Sequence, residues 1–344
     1  MKAVVVGAPG QARVVSVPEP ALKDPRDAIV RVSATAICGA DLLPLRGLVP
    51  GFDPETVLGH EFVGVVHEVG DDVQLRPGQR VVCSSTSSDG TCPHCRAGRT
   101  SQCQGRALFG YSGVYPRLDG GQAEYVRVPV ADRCLLPIPD GLSEDRAVFL
   151  ADILPTGFAA IERAGAKLND HIAVVGCGPV GLMAVLCASR MAASVVAIDE
   201  VAARRELAAS FGPGVVAVAP GEAEATVASR TGGLGADIVV EAAGVQPALD
   251  LALTLARGRG TVSVVGAHFE PDYPLNAGLM FERELSLRFQ IGDPFADRAR
   301  LLDLVVNQQL EPDATISHRL PLAEAADAYR LFGERAATKV VLYP

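Results

Sequence analysis

The sequence lacks the features that mark several large classes of protein. No apolar run reaches the roughly 18 residues that a helix needs to cross a bilayer, so we expect no membrane span. A formal net charge of −9 leaves no basic surplus for the phosphates of a nucleic acid. We find no internal repeat, no low-complexity segment and no signal peptide, since residues 1–6 enter a strand pattern at once. These absences predict a soluble, cytoplasmic protein that binds neither nucleic acid nor membrane.

The composition fits a globular chain with sizeable cores. Apolar residues make up 49% and charged residues 21% of the 344 residues, which excludes an intrinsically disordered chain and leaves room for two domains. Eight cysteines in a chain of this size, without a signal peptide, indicate a reducing compartment, in which thiolates bind metals more often than they form disulfides.

The pattern of the chain changes near residue 150. Before this point, short apolar runs between proline and glycine turns predict strands over residues 28–32, 62–66, 80–82 and 123–128. After it, helices alternate with strands, which is typical of βαβ units with a parallel sheet, so the predicted fold class is α/β. The predicted helices cover residues 155–165, 179–191, 201–210, 246–256, 296–309 and 322–333, and the predicted strands cover 171–175, 194–198, 237–241, 261–265 and 339–342.

A dinucleotide-binding fingerprint opens this second part. The strand over residues 171–175 runs into Gly176-Cys177-Gly178-Pro179-Val180-Gly181, which starts a helix, and Asp199 ends the next strand. The first glycine permits a tight turn, the second lets a pyrophosphate approach the helix N-terminus, and the third allows close helix–strand packing. We expect Asp199 to bind the adenosine ribose and to repel a 2′-phosphate, which favours NAD over NADP. The alternative role for Asp199 is a helix N-cap.

Four side chains from distant points of the sequence suggest a catalytic metal site. They are Cys38, His60, Glu61 and Asp152. A thiolate, an imidazole and a carboxylate that leave a fourth position open are typical of catalytic zinc, whereas a closed set of four ligands is structural. A lone Cys38 is more often a small buried hydrophobe than a ligand, and a lone His60 is more often a surface or satisfied core residue, so the hypothesis depends on the other motifs of the chain.

A second cluster has the spacing of a closed structural zinc site. Its members, separated by two, two and seven residues, are Asp89, Cys92, Cys95 and Cys103. The first position holds an aspartate where a fourth cysteine is expected, and a carboxylate is also a legitimate zinc ligand. His94 and Cys83 compete for that place, and we favour Asp89 because His94 lies inside the turn between two cysteines. Three free thiols without a metal are the remaining alternative.

Taken together, these residues resemble the zinc-dependent medium-chain alcohol dehydrogenases, and most closely their formaldehyde dehydrogenase-like branch. The resemblance runs nearly from end to end. Its motifs are Ile37-Cys38-Gly39-Ala40-Asp41, Leu58-Gly59-His60-Glu61-Phe62, residues 120–129, Asp152-Ile153-Leu154-Pro155-Thr156-Gly157 and the glycine loop. The resemblance implies a GroES-like catalytic domain over residues 1–153, completed by 292–344, and a Rossmann domain over residues 154–291.

The resemblance also implies roles for single residues. Cys38, His60 and Asp152 hold the active-site zinc, Glu61 lies beside it as an exchangeable ligand, and Asp41 orients the His60 ring through a hydrogen bond. The residues implied at the cofactor are Pro179 and Val180 in the loop, Thr156 against the nicotinamide, Arg204 at the ribose or a phosphate, Val265 and Gly266 beside the nicotinamide, and Ala243 and Gly244 in the cleft. A solvated helix face is the alternative for Arg204.

Two positions depart from the family's pattern. The position of Ala40 usually carries serine or threonine, whose hydroxyl takes the proton from the alcohol. The position of Leu43 often carries the histidine that passes this proton on. Both groups are missing here, so the metal and cofactor motifs are retained while the proton exit is not.

The expected function is a zinc- and NAD-dependent oxidoreductase of alcohols, aldehydes or ketones, with two zinc ions per chain. A second hypothesis takes Ala40 and Leu43 literally and predicts a specialised reaction, such as an internal redox step, a dismutation or the reduction of an activated bond. A third is a non-catalytic NAD- or zinc-binding protein that retains the fold. The family forms dimers and tetramers, so we expect a homodimer or homotetramer.

Overall fold

The computed structural model describes residues 1–7, 10–268 and 272–344, which form two compact units. One unit consists of residues 1–155 and 293–344, so its chain is discontinuous, and the other consists of residues 156–292. No helix in these described ranges is long and apolar enough to cross a membrane.

Most of the predicted elements are present, and several short ones are added. The described strands, in chain order, are β1 (Lys2–Val6), β2 (Ala12–Ser16), β3 (Ala28–Ala36), β4 (Glu61–Val69), β5 (Arg80–Cys83), β6 (Thr86–Ser87), β7 (Ala107–Leu108), β8 (Tyr125–Val128), β9 (Leu135–Pro137), β10 (His171–Val175), β11 (Ser194–Ile198), β12 (Val215–Val218), β13 (Ala236–Glu241), β14 (Ala256–Val264), β15 (Ser286–Phe289), β16 (Ile316–Pro321) and β17 (Lys339–Tyr343). The described α-helices are α1 (Leu42–Leu45), α2 (Pro93–Arg96), α3 (Ala131–Cys134), α4 (Glu144–Ala147), α5 (Ile153–Glu162), α6 (Pro179–Ala188), α7 (Ala202–Ala209), α8 (Ala223–Thr231), α9 (Gln246–Leu255), α10 (Ala277–Glu282), α11 (Arg298–Val306) and α12 (Ala325–Gly333).

The discontinuous unit is built on a mainly antiparallel sheet with the strand order β16-β17-β3-β4-β5-β9, and β8 also pairs with β3. The central strands β3 and β4 are rich in valine and largely buried, as expected for strands inside a core. Phe62 and Phe109 meet edge to face in this core, with ring centroids 5.3 Å apart. The register sets Ala36 opposite Glu61 and Val341 opposite Ala36. Residues near the ends of three strands are therefore brought to one place.

The unit of residues 156–292 contains a six-stranded parallel sheet in the order β12-β11-β10-β13-β14-β15. This confirms the predicted α/β class and parallel sheet. The chain moves outward from β10 to β12 and then returns to place β13 on the other side of β10. The order thus reverses next to β10, and in such sheets ligands bind beyond the carboxyl ends of the strands at this reversal.

The structure corrects several predicted helix boundaries. The first helix of the second part begins at Ile153 instead of 155, α6 ends at Ala188 instead of 191, and α12 begins only after a 3-10 turn over Leu322–Glu324. The strands β12 and β15 were not predicted. Both lie at the edges of the sheet, and β15 is short and largely exposed, so its sequence carries no clear apolar alternation.

Candidate metal centres and cofactor site

The predicted catalytic cluster forms within the discontinuous unit. Cys38 follows β3, His60 and Glu61 lie at the start of β4, and Asp152 follows a 3-10 turn over Val148–Ala151. One ligand atom from each of these four residues lies within 4.8 Å of the others. The Asp152 Oδ2 atom is 3.6 Å from His60 Nε2 and 4.0 Å from Cys38 Sγ. All the side chains needed for one metal ion therefore converge.

Asp41 lies on the other side of the His60 ring. Its Oδ1 atom is 3.0 Å from His60 Nδ1, and its Oδ2 atom accepts a hydrogen bond of 2.9 Å from the Cys38 N–H. Asp41 is fully buried. A carboxylate at Nδ1 favours the tautomer that leaves Nε2 free to bind a metal, and Nε2 is the atom that faces the cluster.

The cluster fits a zinc ion on its own chemistry. A thiolate, an imidazole and carboxylates are the ligands that zinc prefers. Burial raises the pKa of Cys38 and, against the influence of Lys339, that of Glu61, because the charged forms lose their hydration. The Oε1 atom of Glu61 has no hydrogen-bond partner in the described residues. A cation at this position would compensate both groups, since buried charges otherwise destabilise the fold.

The remaining contacts of the cluster come from residues that sequence reasoning missed. Lys339 is fully buried in β17, where its Nζ donates to Glu61 Oε2 at 2.5 Å and to the Ile37 carbonyl at 3.0 Å. Ser85 Oγ donates to Asp152 Oδ1 at 2.9 Å. A lysine at the start of the apolar run of residues 339–342 was the available signal, but its partner lies 278 residues away.

Residue 40 has a hydroxyl beside it despite being alanine. The Tyr111 hydroxyl donates to the Ala40 carbonyl at 2.5 Å, and its ring meets that of His60 at an angle of 67° with centroids 6.5 Å apart. Burial raises the pKa of Tyr111 well above its usual value, so this hydroxyl keeps its proton. Tyr111 was also missed in the sequence, where nothing links it to residue 40.

The second cluster also forms as predicted in position. One ligand atom each of Asp89, Cys92, Cys95 and Cys103 lies within 4.8 Å of the others. Cys92 is the N-cap of α2, and Cys103 follows a 3-10 turn over Thr100–Gln102. The Asp89 Oδ2 atom is 3.3 Å from Cys103 Sγ. Among the described residues, His94 and Cys83 join no group of this kind, so the geometry favours Asp89 over both rivals.

The charges of this second cluster also fit a zinc ion. The backbone N–H groups of Cys92 and Thr91 donate to Asp89 Oδ1, which holds the pKa of this carboxyl far below its usual range. Backbone N–H groups, first that of Gln104, lower the pKa of Cys92, while burial raises that of Cys103 to about 11. Asp89 is therefore always ionised near neutral pH, as a carboxylate ligand must be.

The glycine loop has the geometry that its sequence predicts. Gly176 has a φ of +94°, which a residue with a side chain rarely adopts, and Gly178 is the N-cap of α6. A Cβ on Gly181 would lie 1.8 Å from the Gly176 carbonyl oxygen, so only glycine allows this approach. Pro179 and Val180 form the first turn of α6. The exposed N–H groups of such a turn suit a phosphate.

Asp199 lies beside this loop at the end of β11. Its Oδ2 atom accepts a hydrogen bond of 2.7 Å from the Cys177 N–H, and its Oδ1 atom accepts one of 2.8 Å from the Val201 N–H. Val201 is the N-cap of α7, so the alternative role of Asp199 as an N-cap is wrong. The Arg204 side chain is only 13% exposed, with NH1 3.9 Å from Asp199 Oδ2, which argues against a solvated helix face.

The loops after β13 and β14 are joined through Glu241, which sequence reasoning missed. The N–H groups of Ala243 and Gly244 donate to its Oε1 atom at 2.8 and 2.7 Å, and those of Val265 and Gly266 donate to its carbonyl. All four predicted cleft residues thus lie together at the carboxyl ends of two neighbouring strands. The last predicted cofactor residue, Thr156, is nearly buried and packs against Gly292 within the same unit.

Two family descriptions match the chain. One, the alcohol dehydrogenase GroES-like domain, matches residues 24–140, and the other, zinc-binding dehydrogenase, matches residues 179–307. A protein of Mycobacterium tuberculosis, named as a probable zinc-binding alcohol dehydrogenase, is 38% identical over 332 residues, which cover 96% of this chain and 84% of that protein.

Solved structures are similar over the whole chain. Alcohol dehydrogenase TADH from Thermus sp. ATN1 superimposes with a TM-score of 0.94 at 38% identity, covering 100% of this chain and 99% of that one. A Sinorhizobium meliloti 1021 protein, described as a zinc-binding dehydrogenase bound to NADP, gives a TM-score of 0.86 at 32% identity, with 100% and 99% coverage.

Two ligand sets, one open and one closed, lead us to expect two zinc ions per chain. Replacing Asp89 by alanine removes one ligand of the closed set, so the zinc content should fall towards one and the melting temperature should drop, while the active-site metal stays. Metal analysis of protein purified without chelator, together with thermal unfolding, measures both.

Asp24→Ala is a matched control, because Asp24 also accepts a backbone N–H from two residues further along the chain but lies in neither cluster. If Asp89→Ala changes neither the zinc content nor the melting temperature, the fourth ligand is His94 or Cys83, or these cysteines hold no metal.

Proposed function

We propose that this chain, which belongs to the zinc-type medium-chain alcohol dehydrogenase family, moves hydride between NAD(H) and an alcohol, aldehyde or ketone. The observation that carries this proposal is the convergence of Cys38, His60 and Asp152, because three ligands leave room at the metal for a substrate oxygen. The glycine loop and Asp199 support the dinucleotide.

The chain's own residues prepare the metal site. Zinc held by Cys38, His60 and Asp152 supplies a Lewis acid that polarises a carbonyl or acidifies an alcohol. Asp41 orients the His60 ring, and Ser85 holds one oxygen of Asp152. These outer contacts fix the ligand geometry before the substrate binds.

Glu61 is set up to exchange. Lys339 binds one of its carboxylate oxygens, and the other has no hydrogen-bond partner in the described part of the chain. Through this free oxygen Glu61 would be able to hold the metal when no substrate is bound, while Lys339 holds its other oxygen. The role of Glu61 as an exchangeable ligand rests on this asymmetry.

Different residues are proposed to bind different parts of the cofactor. A nicotinamide dinucleotide supplies the hydride chemistry. The N–H groups at the start of α6 are proposed to bind the pyrophosphate, and Asp199 and Arg204, which lie 3.9 Å apart, are proposed to bind the adenosine ribose. Thr156, Ala243, Gly244, Val265 and Gly266 are proposed to line the nicotinamide half.

A panel of alcohols and aldehydes, assayed in both directions with NAD and NADH, tests this function. We expect turnover with at least one substrate class. Asp152→Ala should abolish turnover but retain cofactor binding, because Asp152 lies outside the unit of residues 156–292. Asp140→Ala changes an exposed aspartate and serves as the control. Tight NADH binding without turnover on the whole panel would instead support a non-catalytic binding protein.

Asp199 should make the enzyme prefer NAD over NADP by at least about tenfold, or roughly 1.4 kcal/mol, since its charge repels a 2′-phosphate. One relative was solved with NADP, so the preference has to be measured on this chain. Calorimetric titration gives the ratio of the dissociation constants of NADP and NAD. This ratio should fall in Asp199→Ser and stay unchanged in the neighbouring control Glu200→Ser. Equal affinities in the unaltered protein would show that Asp199 does not face the ribose.

We also propose that two or four copies of the chain assemble through the sheet edge at β15. Within the described part of the chain this strand pairs only with β14, and the side chains of Phe289 and nearby Phe281 are 60% and 88% exposed. An open, apolar edge of this kind favours pairing with another copy.

Light scattering should therefore report a dimer or tetramer, and Phe289→Glu should shift the equilibrium towards monomer. The control Leu168→Glu alters another exposed apolar residue and should not. A monomeric wild type would contradict the proposal.

The assignment to the formaldehyde dehydrogenase-like branch is a finer proposal, supported by the run from Asp152 to Gly157.

The second function, a redirected reaction, is favoured by residue 40. Ala40 offers no hydroxyl of its own, Leu43 offers no imidazole, and the Tyr111 hydroxyl is engaged by the Ala40 carbonyl. An internal redox step, a dismutation or the reduction of an activated bond needs no relay through this residue.

The variant Ala40→Ser separates the two functions. A positioned acid–base group contributes about 10²–10⁴-fold to proton transfer. If the chain is an ordinary dehydrogenase that uses water in the relay, the serine should raise alcohol oxidation, most visibly below neutral pH. The measurement is the pH–rate profile of both proteins on the best substrate. No gain, together with slow turnover of simple alcohols by the unaltered protein, would favour the redirected reaction.

A further inference from the structure

A buried serine connects an arginine to the second cysteine cluster. The Arg133 Nε atom, on α3, lies 3.0 Å from Ser88 Oγ, and Ser88 Oγ lies 3.2 Å from Cys95 Sγ. Ser88 is 1% exposed and Cys95 is 9% exposed, so water has little access to this contact. Neither Ser88 nor Arg133 is a ligand of the cluster, yet together they reach one of its thiols.

The direction of both hydrogen bonds follows from the donor inventory. A guanidinium has only donors, so Arg133 Nε must donate and Ser88 Oγ must accept. The single hydroxyl hydrogen of Ser88 is then free to point at Cys95. The arginine polarises the hydroxyl, and a hydroxyl that accepts one hydrogen bond donates a stronger one. The thiolate of Cys95 therefore receives the stabilisation of a cation that it does not touch.

Two further contacts and the space beside a glycine hold Arg133 in this position. Its guanidinium stacks over the Phe295 ring, with 5.2 Å from Cζ to the ring centroid, and Arg298 donates to its carbonyl at 2.6 Å. Gly90 leaves space for the side chain, since a Cβ there would lie 3.2 Å from Arg133 Cδ. The contacts of Arg133 within the described residues include no carboxylate, so its charge is not neutralised by an ion pair.

The cluster has a matching need for positive charge. Three thiolates and one carboxylate around a divalent cation leave a formal excess of two negative charges. Outer hydrogen bonds that stabilise metal ligands typically change metal affinity by about 10–100-fold. Arg133 is a cation without a carboxylate partner at the edge of such a site, and Ser88 is the group that transmits its effect.

We propose that Ser88 and Arg133 act as a hydrogen-bonded pair that stabilises the Cys95 thiolate and thereby retains zinc in the second cluster. The inference rests on the proposed zinc site of Asp89, Cys92, Cys95 and Cys103. Ser88 and Arg133 are positioning residues, and their effect should appear in metal retention and thiol reactivity rather than in the chemistry of the substrate.

The experiment measures zinc release from the purified holoprotein to a chromophoric chelator, and alkylation of each cysteine by iodoacetamide with peptide mapping. In Ser88→Ala, zinc release from the second cluster should become about tenfold faster. Cys95 should be alkylated earlier relative to Cys92 and Cys103, while the zinc at Cys38 is released as before. The matched control is Ser87→Ala, since Ser87 is also buried and accepts the Ala107 N–H but contacts no thiol among the described residues.

Arg133→Met keeps an unbranched side chain at this partly exposed position but removes the charge and the donors, and it tests the pair even if Ser88→Ala does not fold. It should change release in the same direction by a smaller factor, and adding it to Ser88→Ala should have no further effect. Release at the rate of Ser87→Ala, or additive effects in the double variant, would overturn the pair. Absence of a second zinc from the unaltered protein would overturn the metal site and the pair together.

Discussion

A buried ion pair is the constraint on which the discontinuous unit depends. Glu61 and Lys339 are both inaccessible to solvent, and their contact joins the start of β4 to the start of β17. Removing one partner of such a pair typically destabilises a protein by about 3–5 kcal/mol, because the other charge stays buried without compensation. The Lys339 Nζ atom also binds the Ile37 carbonyl, one residue before Cys38. The contacts of Lys339 therefore help to fix both the positions of the candidate metal ligands and the packing of the sheet.

The two candidate metal sites solve the problem of buried negative charge in different ways. At the first, Lys339 lies directly against a carboxylate, and the ligands come from chain segments far apart in sequence. At the second, all four ligands lie within residues 89–103, and backbone N–H groups carry most of the compensation at Asp89 and Cys92. The local cluster depends mainly on its own backbone, with Ser88 and Arg133 adding to it, whereas the dispersed cluster relies on the packing of the whole unit.

Sequence reasoning found what is encoded locally and missed what is assembled by tertiary structure. The strands of residues 171–175 and 194–198 were predicted to the residue, because a buried run followed by a glycine loop has few alternatives. The residues of the two clusters were identified because each belongs to a short motif. Lys339, Ser85 and Glu241 were missed because a lone lysine, serine or glutamate has no spacing to reveal it. Edge strands such as β15 were not predicted, because a strand that pairs on one side and is largely exposed has little alternation of apolar and polar residues.

The contact between Thr156 and Gly292 has a consequence for how the chain assembles. These residues are the first and last of the second unit, and a Cβ on Gly292 would lie 2.0 Å from Thr156 Oγ1. Once that unit folds, the segments that precede and follow it leave from neighbouring points. The entropy lost in joining Glu61 to Lys339 then no longer reflects their full sequence separation of 278, because the folded unit of residues 156–292 acts as a short link. The order of folding that this favours is that unit first, metal site last.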